Sequence, residues 1–231
     1  MDGGKNDPLP PELFHYNSID DTCGSIIDRK DLKELLECDS IEMGVIFAFI
    51  LCLSSKLEEA GVDDIAFLCP NNCSYTSLET DYDGTTSYLM RNLDDLFDQR
   101  LILLPYNQGY HWMLIVICPA VNKGYIIDSL PGSCDISTMQ KELTIAFKIA
   151  SSSQGNGKSI KWENLKCARQ VGAKACGYYV MRFLWEVCFV HQGSSDIGKD
   201  WISRSESYSS EEIDEIRNVW CGHFMDVIME L

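Results

Sequence analysis

The chain has 231 residues, 45% of them apolar and 23% charged, enough to build one domain-sized core and to exclude wholesale disorder. Its 35 acidic residues outnumber its 19 basic ones, for a formal charge of -16, a field that repels phosphate backbones and argues against nucleic acid as a partner. No apolar run approaches the roughly 20 residues that span a bilayer, so a membrane partner is not expected either.

Residues 1–12 hold Gly3, Gly4, Pro8, Pro10 and Pro11. They are expected to form a loose polar tail, without the apolar stretch of a signal peptide, and to leave 13–231 as a single domain. A short helix is predicted over 31–38. A second, over 41–59, is apolar nearly all round and therefore buried, with Asp39 or Ser40 as its cap and Gly61 as its stop. The stretch 69–86 is rich in Asn, Ser, Thr, Asp and Gly and reads as loop. A helix follows over 91–97.

The hydrophobic period then shortens. Residues 100–104 read as a strand ended by Pro105, and 106–110 as a turn. The unbroken apolar run 112–118 is a strand buried on both faces, and 125–128 is a third strand. A helix is expected over 137–153, a flexible loop over 151–157 and another strand over 160–165. A strongly apolar helix is expected over 177–191. Ser209 and Glu212 have the spacing of a capping box that opens a last helix running to 231. Helices before and after a strand cluster indicate an α+β fold.

Eleven cysteines are scattered, odd in number and set mostly in apolar stretches. They read as buried thiols of a reducing, intracellular compartment and not as a disulfide framework. One is placed differently. Cys176 opens a predicted helix, where unpaired N–H groups and the helix dipole favour a thiolate, and Gly177 beside it permits close approach of a substrate to the backbone. A nucleophilic cysteine needs a base. Of the four histidines, His15 lies in the tail and His191 and His223 lie on helices. His111 sits where a loop enters a strand. Asp128 closes the next strand, and a turn centred on Pro119–Ala120 puts 111 and 128 opposite each other; Asn122 to Gly124 allow a later turn. Asp128 can then orient His111, as an acid orients the base of a triad. Gln170, in the loop feeding Cys176, can offer its amide as an oxyanion donor beside the Cys176 N–H.

The run HWMLIVI (111–117), then YIIDSL (125–130), Gln170 and CGYYVMRF (176–183) resembles the ubiquitin-like protease family of cysteine peptidases, which includes the SUMO proteases. The likeness covers about 30–192 and is strongest to plant and transposon-associated members. It implies a small mixed sheet flanked by helices, the fold shared with the adenovirus-type cysteine peptidases. It implies a monomeric enzyme, nuclear or cytoplasmic, that cleaves after the C-terminal glycines of a SUMO-like or other ubiquitin-like modifier without metal or organic cofactor. It also implies that Trp112 walls the channel for the glycine tail, although strict strand alternation turns its ring away from His111. The chain departs from the family at Ala175, at Gly172-Ala173 and in having no tryptophan before Trp112. These departures suit an alternative in which a weakly active relative only binds a modifier or another protein. Cys69 and Cys73 are spaced like half of a zinc site, with no second pair at matching spacing nearby, so no metal is expected.

Overall fold

The computed structural model describes residues 27, 29–155, 157–191 and 193–229. The tail expected over 1–12, and His15 with it, lies outside them. Five strands form one sheet in the order β1-β2-β3-β4-β5: β1 Ile65–Phe67, β2 Leu101–Asn107, β3 Trp112–Cys118, β4 Lys123–Ile127 and β5 Lys161–Leu165. The outer pairs, β1 with β2 and β4 with β5, are parallel, and the two central pairs are antiparallel. The sheet is mixed, as an α+β chain requires.

All seven residues of β3 are buried. Trp112, Leu114, Val116 and Cys118 face one core, with residues of α2 (Met43–Glu59), α6 (Cys176–Trp185) and α8 (Ser210–Met229). Met113, Ile115 and Ile117 face the other, with α4 (Tyr82–Asp95) and α5 (Ser137–Ser153). A strand with helices on both sides has no face left for water, so its sequence loses the polar alternation of a half-exposed strand.

The strand expected to end at Pro105 continues to Asn107. Strand β1 ends at Phe67, opposite Leu103, so beyond that point β2 is an edge on one side and a residue without an N–H is tolerated there. The loop expected over 69–86 is instead largely helical: α3 (Tyr75–Thr80) and the first part of α4 occupy it. Its polar residues act as caps. The Ser74 side chain accepts from Ser77 N while the Ser77 hydroxyl accepts from Ser74 N, and Asp81 accepts from Gly84 N. The helix expected over 91–97 is the end of α4.

Helix α2 starts two residues later than expected, with Glu42 at its N-cap and no side-chain cap, so neither Asp39 nor Ser40 caps it. Gly61 takes the left-handed backbone (φ 68°) that follows the helix. The capping box at α8 is present: Ser209 N donates to Glu212 and Glu212 N donates to the Ser209 hydroxyl. A short helix α1 (Arg29–Glu37) precedes α2, and α7 (Ile197–Asp200) follows a wide turn, Glu186–Val190, that ends the rod begun by α6. Among the described residues no helix is long and apolar enough to cross a membrane. Among the described residues nine cysteines are free, and Cys69 departs from the thiol reading: it is disulfide-bonded.

Candidate active site

Strands β3 and β4 are joined through Pro119–Val121 and Asn122, whose left-handed φ of 55° completes the turn. The register pairs Leu114 with Ile127 and Cys118 with Lys123. Continued by one step, it sets Asp128 against Met113, two residues beyond the register that a turn centred on Pro119–Ala120 gives. A shift by two keeps every side chain on its face, because strand side chains alternate with period 2. His111, at the end of the β2–β3 turn, therefore still reaches the acid: its Nε2 lies 2.6 Å from Asp128 Oδ1. Both side chains are almost enclosed.

The same Asp128 oxygen accepts the Leu130 N–H at 2.8 Å, and the Asp128 carbonyl accepts from the Cys167 thiol at 3.2 Å. The carboxylate is thus fixed from its own loop and from the chain leading out of β5. Cys176 is the first residue of α6, 4% exposed, and lies close enough to His111 to act on its imidazole. With Nε2 committed to Asp128, the ring nitrogen left for the sulfur is Nδ1. Burial alone would push the His111 imidazole down. The hydrogen bond to Asp128, the nearby Cys176 and the charge of both outweigh it and bring the group up to about 9. An imidazole that holds a proton so firmly, beside a thiol at a helix N-terminus, can take the thiol proton and keep it.

Gln170 is buried and tied to the residue after the acid. The Ser129 hydroxyl donates to Gln170 Oε1 at 2.7 Å, and Gln170 N donates to the Ser129 carbonyl at 3.1 Å. Its Nε2 donates one N–H to Gly172 O at 2.8 Å, which leaves the second N–H of the amide available. Ser129 was missed by sequence reasoning; its place directly after Asp128 in the YIIDSL run was the available signal.

Trp112 and Gly177, the two residues expected to meet substrate, are both buried. The Trp112 ring is only 3% exposed, lies in the α2/α6/α8 core, and donates its indole N–H to Ile41 O at 2.9 Å. Its side chain lies with the strand residues Leu114, Val116 and Cys118 in that core. Gly177 is required for packing: a Cβ there would lie 2.7 Å from Ile41 Cβ. The missing side chain makes room for Ile41. Ile41 therefore links the two, holding the start of α6 with its side chain and Trp112 with its carbonyl. Nearby, Lys174 pairs with Asp39 at 2.7 Å and links the loop before Cys176 to the segment before α2.

Among the described residues no group of three or more His, Cys, Asp or Glu is arranged to hold a metal ion. Cys69, engaged in its disulfide, is not a thiolate ligand. A cavity of about 460 Å³ opens beyond Asp128, lined by Cys134, Gln140, Asn164, Lys166 and Arg169 among others.

The description "Ulp1 protease family, C-terminal catalytic domain" matches residues 69–218. The chain belongs to the Ulp1 protease family. It is a cysteine-type peptidase domain, and the match extends beyond residue 192, where the motif likeness ended, into α8. A comparison with curated protein sequences finds no match. Among solved structures, the C-terminal Ulp1 protease domain in complex with Smt3, the yeast orthologue of SUMO, aligns with a TM-score of 0.66 at 16% identity, covering 97% of this chain and 90% of that one. The catalytic domain of a Chaetomium thermophilum Ulp1-like SUMO protease aligns at 0.62 and 15% identity, covering 87% and 79%. The Xanthomonas campestris effector XopD bound to ubiquitin aligns at 0.52 and 17% identity, covering 80% and 91%. The family has the α+β protease fold anticipated from the motifs.

Proposed function

We propose that this protease cleaves the bond after the C-terminal glycine of a SUMO-like or other ubiquitin-like modifier, in precursors or in conjugates. Cys176 is the nucleophile, His111 the base and then the acid, Asp128 the group that orients His111, and Gln170 an oxyanion donor. The observation that carries the reading is the convergence of Cys176, His111 and Asp128 from three separate elements, with the imidazole raised to about 9.

The chemistry follows from those positions. His111 holds the thiol proton, and the Cys176 sulfur attacks the carbonyl carbon of the terminal glycine, forming a C–S bond. Negative charge develops on the carbonyl oxygen, where the second Gln170 N–H and backbone amides at the start of α6 stabilise it. The C–N bond breaks as His111 gives its proton to the leaving amine. Water then attacks the thioester, losing a proton to His111, and the sulfur departs as thiolate. No step calls for a metal or organic cofactor. Bound Smt3 and ubiquitin in the related structures support the class of substrate. We place the enzyme in the nucleus or cytoplasm and read it as a monomer.

A glycine-ended modifier carrying an electrophile in place of its last carboxyl tests the reading. The expected result is a covalent adduct at Cys176, absent in Cys176→Ser. Tight binding of the probe with no adduct would overturn the peptidase reading in favour of a binding module.

A further inference from the structure

Ser129 follows the acid directly, is only 1% exposed, and bonds Gln170 twice, through its hydroxyl and through its carbonyl. The end of a glutamine side chain turns about a soft sp³–sp² torsion, so rotamer preference alone does not fix the plane of its amide. Here two hydrogen bonds fix it. Gln170 Nε2 donates to Gly172 O at 2.8 Å, and the Ser129 hydroxyl donates to Gln170 Oε1 at 2.7 Å. A carbonyl can only accept, so the amide must present its nitrogen to Gly172. The amide oxygen is then the end that meets Ser129, and the hydroxyl, able to donate or accept, donates. With the amide reversed, two oxygens would face each other with no proton between them. The backbone around Gln170 is held as well. Its N–H is taken by Ser129 O at 3.1 Å, and the preceding carbonyl, of Arg169, accepts from the Tyr179 hydroxyl at 3.0 Å.

A donor stabilises a developing oxyanion best when it need not reorient as the charge forms. We propose that Ser129 is a positioning residue for the oxyanion site: its hydroxyl closes the Oε1 end of the Gln170 amide and holds the remaining N–H in place before substrate binds. Without the hydroxyl, Oε1 is buried with no donor, and the amide swings about the one bond left, to Gly172 O. Ser129 touches no reacting atom and acts only through Gln170. Consecutive residues thus serve the two halves of the chemistry, Asp128 orienting the base and Ser129 orienting the oxyanion donor. The inference rests on the peptidase reading above and on the place of Gln170 in it.

Smt3 and ubiquitin, the modifiers bound in the related structures, serve as substrates, each joined through its terminal glycine to aminomethylcoumarin. Rates are counted per molecule that the electrophilic modifier labels, so that loss of folded protein does not enter. In Ser129→Ala, kcat should fall about 10-fold, part of the roughly 10²- to 10³-fold loss that follows removal of a whole oxyanion donor. KM should stay within about twofold, because the oxyanion forms only in the transition state. Gln170→Ala should fall further. The double variant Ser129→Ala with Gln170→Ala should match Gln170→Ala alone, since Ser129 then has no amide to hold. The alkaline limb of the pH profile should stay in place in Ser129→Ala, because the bond between His111 and Asp128 is untouched. Unchanged kcat in Ser129→Ala, full activity in Gln170→Ala, losses that multiply in the double variant, or a displaced alkaline limb overturns the proposal. Each of these leaves Cys176, His111 and Asp128 in their roles. Wild-type protein that releases coumarin from neither substrate overturns the peptidase reading as well.

Discussion

A cysteine and a histidine meet the rod of α6 and its terminal turn at both ends, and the two ends behave in opposite ways. At the start, Cys176 neighbours His111, which is hydrogen-bonded to Asp128 and raised to about 9. At the far end, Cys188 is fully buried in the turn Glu186–Val190, and burial pushes its thiol far up. His191 follows it, its ring 5.1 Å from that of Trp201, and burial pushes this imidazole down. Burial acts on both histidines in the same sense. Only the first has a carboxylate in hydrogen-bond contact to reverse it. Residue type therefore does not make a thiol reactive; an oriented base and a free helix N-terminus do.

The comparison breaks most sharply at the sulfurs. Cys176→Ser should reduce kcat/KM by about 10⁴-fold on any glycine-ended substrate with the fold retained, because a serine hydroxyl there stays protonated. Turnover near the wild-type level would remove Cys176 from the mechanism. The support of the reactive end comes next. Trp112→Ala empties a buried site beneath that end and removes the donor to Ile41 O, so unfolding free energy should drop by about 3–5 kcal/mol in denaturant titration. A stable variant with full activity would show that the start of α6 does not depend on this ring.

Asp128→Asn sharpens the electrostatic half. It should lower kcat/KM by about 10²-fold, less than loss of His111, because the strands keep the ring roughly in place. The raised His111 also sets a pH window. The imidazolium stabilises the fold fully below its ordinary value of 6.5, and that contribution is lost as pH climbs to about 9. Activity that requires the imidazolium should fall through the same alkaline range. In Asp128→Asn the alkaline limb of the kcat/KM profile should move to lower pH; an unmoved limb would assign it to another group.

Two smaller effects finish the contrast. Gly177→Ala drives a methyl into Ile41 and should cost about 1–3 kcal/mol, a cost that Ile41→Val leaves largely in place because valine keeps the Cβ and Cγ1 it meets. Cys188→Ala should cost only about 1 kcal/mol of stability and leave activity per folded molecule unchanged. An inactive but folded Cys188→Ala would contradict the division between the two ends.

Much of the site was legible because short-range patterns encode it. The helix-opening cysteine, the loop-to-strand histidine, the strand-closing aspartate and the alternation along 112–118 are local features. The structure brings His111, Asp128 and Cys176 into contact as those features suggest. The polar stretch 69–86 misled for an equally local reason, since serine and aspartate favour turns and helix caps alike, and only the packing of Leu78, Leu89 and Leu93 selects the helices.

The sequence by itself determined which residue types are placed to carry the chemistry and which strand is buried on both faces, while for Trp112 strand alternation and family likeness pointed in opposite directions. Those properties depend on residue type and on a period of two, both written along the chain. Tertiary structure decided the two-residue register at Asp128, the tie from Ser129 to Gln170, the use of Gly177 as a seat for Ile41, and the disulfide at Cys69. Each depends on a distance between separate segments of the chain. Such distances are set by how the helices close over the sheet, and no local pattern carries them.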